Sequence, residues 1–279
     1  MSTSVTSSDE KIVAPSTEPS TWKDIFRQFM VIASLIMTII VNGLANALPL
    51  NGKNTGEISD SFDVLFVPAG YVFSIWSVIY VALIGYAIFQ ALPAQRTNPR
   101  LRAIGWLFVL SNVANTAWIF LWHYEYFVAT LAVMTVLLLT LIAIYVRLNS
   151  GNWQPTTAEK WLVKIPFSIY LGWITVATVA NATSVLDYVG WNGFGLSPEF
   201  WAVTMLVIAT GIGLAFSLLR NDIAYVLVLV WAFIGIAVAQ WDTPVVAITA
   251  LVLSAVLVVS LFLTHFGLRI PSQTDHSPA

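Results

Sequence analysis

VVAITALVLSAVLVVSLFLTHF, residues 245–266, is a run of 22 residues without a single Asp, Glu, Lys or Arg. About 20 consecutive apolar residues are enough for a helix to cross the hydrocarbon core of a bilayer. The run is continuously apolar rather than alternating in polarity, which favours a membrane helix over a barrel strand. It therefore predicts a transmembrane helix.

Seven further apolar segments precede this run, and polar stretches separate them. The eight predicted helices span residues 25–48, 71–92, 103–121, 126–146, 161–186, 200–219, 223–240 and 245–266. The seventh is the shortest. Apolar residues make up 58% of the chain and charged residues 9%, whereas a soluble domain carries about 25% charged residues. The predicted fold class is all-α, a polytopic membrane bundle of about eight helices whose main partner is the lipid bilayer.

The rest of the composition excludes several classes of function. The chain has no cysteine, which rules out disulfides, thiolate metal sites and thiol nucleophiles. Its net charge of −2 comes with no basic patch, so we expect no nucleic-acid partner. Residues 1–24 and 268–279 are polar and are predicted to be tails, the first of them disordered.

The basic residues predict the orientation of the helices. With the N-terminus placed in the cytoplasm, eleven of the twelve Lys and Arg residues fall on the cytoplasmic side and only Lys53 falls outside. Because cytoplasmic loops carry an excess of Lys and Arg, this split predicts that both termini are cytoplasmic. We expect a multi-pass protein of a bacterial plasma membrane.

Aromatic and amide side chains recur at helical spacing on three of the predicted helices. The stripes contain Tyr71, Phe73, Trp76 and Tyr80 on the second helix, Asn115, Trp118 and Trp122 on the third, and Trp173, Ala177 and Asn181 on the fifth. Residues three or four positions apart share one face of a helix. Because an amide in lipid needs a hydrogen-bond partner, these faces should point into the bundle. Helix packing explains any one of these residues, but together they also describe a pocket for a flat, mostly apolar ligand.

Side chains suited to catalysis are scarce. No metal-binding or nucleophile motif occurs, and no ionisable residue lies deep inside a predicted helix, since Arg102, Lys164 and His265 are close to helix ends. His123 and Glu125 form the one candidate ligand pair, for which an ordinary solvated turn is the simpler interpretation. We therefore expect no metal site and no enzymatic activity.

Three motifs resemble the tryptophan-rich sensory protein (TspO/MBR) family, also called the translocator protein or peripheral benzodiazepine receptor family. They are FVPAGYVFSIWSVIY at 66–80, Asn115-Thr-Ala-Trp118, and WITVATVAN at 173–181. The resemblance extends over about 25–181, in the first five helices. It departs from the family pattern at Ala69, where the family has Pro, and at Tyr71, where it has Trp.

The resemblance implies a five-helix domain at 25–186 that encloses a pocket for tetrapyrroles, with porphyrin or haem as a ligand rather than a cofactor. It implies that the loop after the first helix is a lid, and that seven residues line the pocket, namely Trp76, Tyr80, Asn115, Trp118, Trp173, Ala177 and Asn181. Residues 199–267 would form a three-helix extension. A homodimer is a further expected assembly.

Two alternatives to a ligand-binding or sensory protein stay open. A secondary transporter or facilitator of hydrophobic or amphipathic molecules would move its ligand across liposome membranes. An enzyme that modifies a bound tetrapyrrole would release an altered product. Fold resemblance alone does not decide among the three.

The predicted orientation can be tested by cysteine labelling, since the chain has no cysteine of its own. A cysteine at Ser150 should react with a membrane-impermeant reagent only from the cytoplasmic side, because it lies in a basic loop. A cysteine at Lys53 is the control and should react from outside. Strong labelling at position 150 from outside would overturn the orientation.

Overall fold

The computed structural model describes residues 19–48, 50–151 and 153–266. Within these ranges the chain forms eight long helices and no strand. They are α1 Trp22–Ala47, α2 Gly70–Ala91, α3 Pro99–His123, α4 Phe127–Leu148, α5 Thr157–Tyr188, α6 Pro198–Arg220, α7 Ile223–Ala239 and α8 Pro244–Phe266. A one-turn helix, Thr55–Ser59, lies in the loop between α1 and α2.

The predicted fold class is confirmed, because each predicted segment corresponds to one of these helices. Seven of the eight are long and apolar enough to cross a membrane. The exception, α7, has 17 residues and so spans about 25 Å, slightly less than the hydrocarbon core of about 30 Å. The chain is a multi-pass membrane protein.

Polar capping residues explain where the helices extend beyond the predicted apolar segments. Thr21 and Asp24 form a capping box, so α1 starts inside the stretch predicted to be a disordered tail. Residues 1–18 and 267–279 lie outside the described residues. Asn98 caps α3, and Thr156 forms a second capping box with Glu159 at the start of α5. Side-chain caps satisfy the free N–H groups of a first helical turn. The predicted segments are bounded by apolar residues alone and therefore leave these capped turns out.

Charged side chains close one end of the bundle. Arg102 makes two hydrogen bonds of 2.8 Å to the carboxylate of Asp24. Arg27 is 3% exposed and donates to the backbone oxygens of Leu101 and Arg96, both at 3.0 Å. Asp24 and Arg27 are buried and Arg102 is half-buried, and each of them is paired or hydrogen-bonded, as charges taken out of water need to be.

The short helix α7 joins the last three helices to the first five. At its start the buried Asp222 accepts hydrogen bonds from Tyr145 Oη on α4 at 2.9 Å and from Ser168 Oγ on α5 at 2.7 Å. Farther along, Trp231 Nε1 donates to the Val72 oxygen at 3.1 Å. α8 packs against both α6 and α7. The three last helices are thus packed onto the first five through α7.

Gly235 on α7 lies against the start of α2 and the residues just before it. The Ala69 N–H donates to the Gly235 oxygen at 3.1 Å. A Cβ at position 235 would overlap the Val72 side chain and lie 3.1 Å from Pro68 Cβ. Gly211 on α6 differs, because a Cβ there would meet no atom within 4 Å. Close packing therefore requires glycine at position 235 but not at position 211.

Gly235→Ala should lower the free energy of unfolding by about 1–3 kcal/mol, because the added methyl group overpacks the contact between α2 and α7. Gly211→Ala is the matched control and should leave stability unchanged or raise it by up to about 1 kcal/mol through helix propensity. Unfolding in detergent, followed by circular dichroism, measures both. Equal stability of the two variants would contradict the proposed contact.

Candidate ligand-binding cavity

A cavity of about 550 Å³ lies between α1, α2 and α3, beneath the loop helix Thr55–Ser59. Its wall on α1 is formed by Ile39, Asn42, Gly43 and Asn46, its wall on α2 by Phe73, Trp76, Ser77 and Tyr80, and its wall on α3 by Trp118 and Ile119. Pockets for small molecules commonly measure about 300–1,000 Å³ and have apolar walls with a few polar groups. The volume of this cavity lies in that range, and its walls combine aromatic rings with polar side chains such as those of Asn42, Asn46 and Asn54.

A smaller cavity of about 50 Å³ adjoins the first and shares Thr55, Phe73 and Trp118 with it. Its walls also include Trp122, Trp173, Ala177 and Asn181 from α3 and α5. The stripes on α2, α3 and α5 that the sequence singles out therefore meet in one region of the bundle.

The aromatic rings of this region form a connected set. Trp76 and Tyr80 stack with their ring centroids 5.4 Å apart and an interplanar angle of 20°. Trp173 meets Trp76 edge to face at 6.2 Å and Phe73 at 5.9 Å. Such pairs stabilise one another by about 0.5–1.5 kcal/mol beyond their burial. The cavity consequently has fixed aromatic walls before any ligand binds.

Two amides hold these walls in position through hydrogen bonds. Asn181 accepts from Trp118 Nε1 at 3.1 Å and donates to Thr130 Oγ1 at 2.8 Å. Asn115 accepts from Asn42 at 2.8 Å and donates to Tyr170 Oη at 3.1 Å. The first set joins α3, α5 and α4, and the second joins α1, α3 and α5. Both sets orient side chains around the cavity.

Two polar groups at the cavities lack a protein partner. The hydroxyl of Tyr80 and the indole N–H of Trp173 are buried and make no hydrogen bond to a described residue. Trp173 as a whole is only 2% exposed. Most buried polar atoms in proteins are hydrogen-bonded, and each exception calls for an explanation. Tyr80 lines the larger cavity and Trp173 the smaller one.

The mouth of the larger cavity is acidic. Glu57 and Asp60 line it from the loop helix and from the residue that follows the helix. Among the described residues that line this cavity, none is Lys or Arg. A ligand thus enters past two carboxylates and no basic side chain.

The loop over the cavity is fastened to the end of α3. His123 Nε2 is 3.1 Å from Thr55 Oγ1, and His123 Nδ1 is 3.2 Å from the Leu50 oxygen. Trp122 Nε1 donates to the Thr55 oxygen at 3.3 Å. Ile58 on the loop helix is buried in a cluster with Trp122. The loop therefore covers the cavity as a lid would.

The expectation of a solvated turn at His123 is wrong. His123 is 1% exposed, because its ring lies under the loop. Glu125, with φ of 62°, closes the tight turn into α4 and forms an exposed ion pair with Lys53 at 2.9 Å. The two residues thus contact separate parts of the loop.

Eight of the ten predicted site residues line one or both cavities, and two do not. Tyr71 is 48% exposed and packs edge to face on Trp231 at 5.5 Å. Asn115 is buried behind the wall and acts through its hydrogen bonds. Sequence reasoning missed the wall on α1, although Asn42 and Asn46, four positions apart, could have identified it.

The fastening of the loop can be tested with His123→Leu. Leucine fills much of the same volume but leaves Thr55 Oγ1 and the Leu50 oxygen without their ring partner, and each lost hydrogen bond costs about 1 kcal/mol. We expect roughly tenfold faster amide hydrogen exchange in residues 50–63, measured by mass spectrometry. Lys53→Ala removes only an exposed ion pair and should have little effect. Unchanged exchange in His123→Leu would show that the histidine does not hold the loop.

Comparison with known proteins gives an independent identification of the chain. A sequence profile described as TSPO-like protein matches residues 28–263. The comparisons with curated proteins and with solved structures gave no match. The profile starts within α1 and ends within α8, so it includes α6 to α8, where the motif resemblance had ended near Asn181. Because it covers most of the chain, this protein belongs to the TSPO-like protein family.

Proposed function

We propose that this protein binds a planar, mostly apolar ligand, such as a porphyrin-like tetrapyrrole, in the cavity between α1, α2 and α3. The proposed role is binding and sensing rather than catalysis. The observation that carries the proposal is the 550 Å³ cavity with Trp76, Tyr80 and Trp118 in its walls.

The shape of the cavity suits a flat molecule. Trp76 and Tyr80 are close to parallel and offer a broad aromatic wall. The wall on α1 includes Gly43, where a Cβ would meet no atom within 4 Å. A ring system between these two walls would gain stacking and burial on both faces.

The polar groups restrict the charge of the ligand. Tyr80 lines this cavity and Trp173 lines the smaller one beside it, and their unpaired donors suit carbonyl, ether or ring-nitrogen acceptors. Glu57 and Asp60 at the mouth disfavour a ligand with carboxylates near them, because like charges repel. A neutral planar ligand should therefore bind more tightly than an anionic one with the same ring.

The matched pair Gly43→Phe and Gly211→Phe tests the cavity. In Gly43→Phe the ring should occupy the ligand's volume and weaken binding of protoporphyrin IX dimethyl ester at least tenfold, whereas Gly211→Phe on α6 should bind as the wild type does. The shift of the ligand's absorption on titration of purified protein measures affinity. The free diacid, titrated in parallel, should bind more weakly to the wild type than the ester does.

Trp118→Ala gives a second test of the same cavity. Loss of the stacking surface should cost about 1–3 kcal/mol, or about tenfold or more in affinity. Trp106→Ala, on the same helix but 49% exposed, is its control. Melting temperatures of the same samples separate unfolding from loss of the site. Unchanged affinity in a folded Gly43→Phe variant would overturn the proposal.

A further inference from the structure

A second concavity, of about 910 Å³, lies between α2, α5 and α7 and shares no residue with the two cavities described above. We propose that it binds an anionic phospholipid, with the headgroup at Lys160 and Lys164 and the acyl chains along the apolar wall formed by α2, α5 and α7.

The groove exists because the start of α7 packs beside a point well along α5 rather than beside the first turn of α5. Asp222, just before α7, accepts a hydrogen bond from Ser168, which lies 11 residues after the first residue of α5. At a rise of 1.5 Å per residue, about 16 Å of α5 extends past the start of α7. Gln154 and Pro155, which precede α5, line the groove at that end.

The uncovered part of α5 presents two lysines to the groove. Lys160 and Lys164 both line it, and residues four positions apart lie on one side of a helix. The turn from Lys160 to Lys164 is π-helical, a form that occurs frequently at functional sites. Among the described residues, neither lysine forms an ion pair.

Asp222 is the third ionisable side chain that lines the groove, and it competes little with a bound anion for the two lysine ammonium groups. Asp222 is 5% exposed, and its carboxylate already accepts from Tyr145, Ser168 and the N–H of Tyr225. The charged side chains that line the groove are two lysines and one aspartate, so the groove carries one net positive charge and attracts an anion.

The groove matches a phospholipid in its charge and also in the way that basic, interfacial and apolar side chains follow one another along it. Next to Lys160 lies Trp161, which is 63% exposed and is of the residue type that is enriched at the headgroup level of membranes. Beyond the lysines the wall is apolar, with Ile169 on α5, Leu227 on α7 and Val78 on α2. Leu227 and Val78 are about half exposed, so acyl chains can reach them from the bilayer. Basic pockets between membrane helices bind anionic headgroups in other proteins.

The proposal is tested on the full chain in detergent, with phosphatidylglycerol and phosphatidylcholine of the same acyl chains as probes and native mass spectrometry as the readout. The wild type should bind phosphatidylglycerol more tightly than phosphatidylcholine. The double variant Lys160→Gln/Lys164→Gln should lose roughly tenfold or more of its affinity for phosphatidylglycerol. The double variant Lys23→Gln/Lys53→Gln, with the same loss of charge outside the groove, should keep it.

A second variant tests the apolar wall without changing a charge. Leu227→Trp should fill the groove and weaken phosphatidylglycerol binding at least tenfold, whereas Leu251→Trp, on a 43% exposed position of α8, should not. Excess inorganic phosphate should fail to displace the lipid. Equal binding of the two lipids, unchanged affinity in both groove variants, or displacement by phosphate would each overturn the proposal.

Discussion

A polar group inside a bilayer has no water to bind, so a partner within the protein stabilises it strongly. Around the cavity this constraint is met by two sets of side-chain hydrogen bonds. Asn42, Asn115 and Tyr170 join α1, α3 and α5, while Trp118, Asn181 and Thr130 join α3, α5 and α4. Because leaving any member unpaired would be costly, these bonds fix the relative positions of four helices. The aromatic walls of the cavity keep their spacing for the same reason.

The sequence predicts those parts of the molecule that depend on the chain's own periodicity. The length of the apolar segments identifies all eight helices. The helical spacing of Trp118 with Asn115, and of Asn181 with Trp173, places Trp118 and Asn181 on interior faces, where they are hydrogen-bonded to each other. The parts that it does not predict depend on partners distant along the chain. His123 looks like a turn residue until the loop at Thr55, 68 positions away, is folded onto it. Asp222 looks like an ordinary helix cap until Tyr145 and Ser168 come within hydrogen-bond distance.

The two concavities differ in charge and in what surrounds them. The cavity under the loop has aromatic walls, and the charged side chains among its described lining residues are the carboxylates Glu57 and Asp60. The groove beside α7 is half open to the bilayer and carries the lysines of the π-helical turn. An anionic amphiphile would thus be attracted to the groove and repelled from the mouth of the cavity. The two proposed ligands, a lipid in the groove and a planar molecule in the cavity, would thus be distinguished by charge.

The features on which the proposed ligand site rests reduce the stability of the bundle. Trp173 and Tyr80 keep buried donors unpaired, and each such group costs about 1–3 kcal/mol. Gly43 leaves α1 without a side chain in the wall, at a cost in helix propensity of about 1 kcal/mol. A ligand that pairs these donors and fills the space recovers part of that free energy only when it binds. Unpaired donors of this kind are lost readily by mutation, since replacing them with apolar side chains of similar shape can raise stability. The Tyr86 hydroxyl is also unpaired, although Tyr86 lines neither cavity, so an unpaired donor points to a ligand only where its residue lines a cavity, as Tyr80 and Trp173 do.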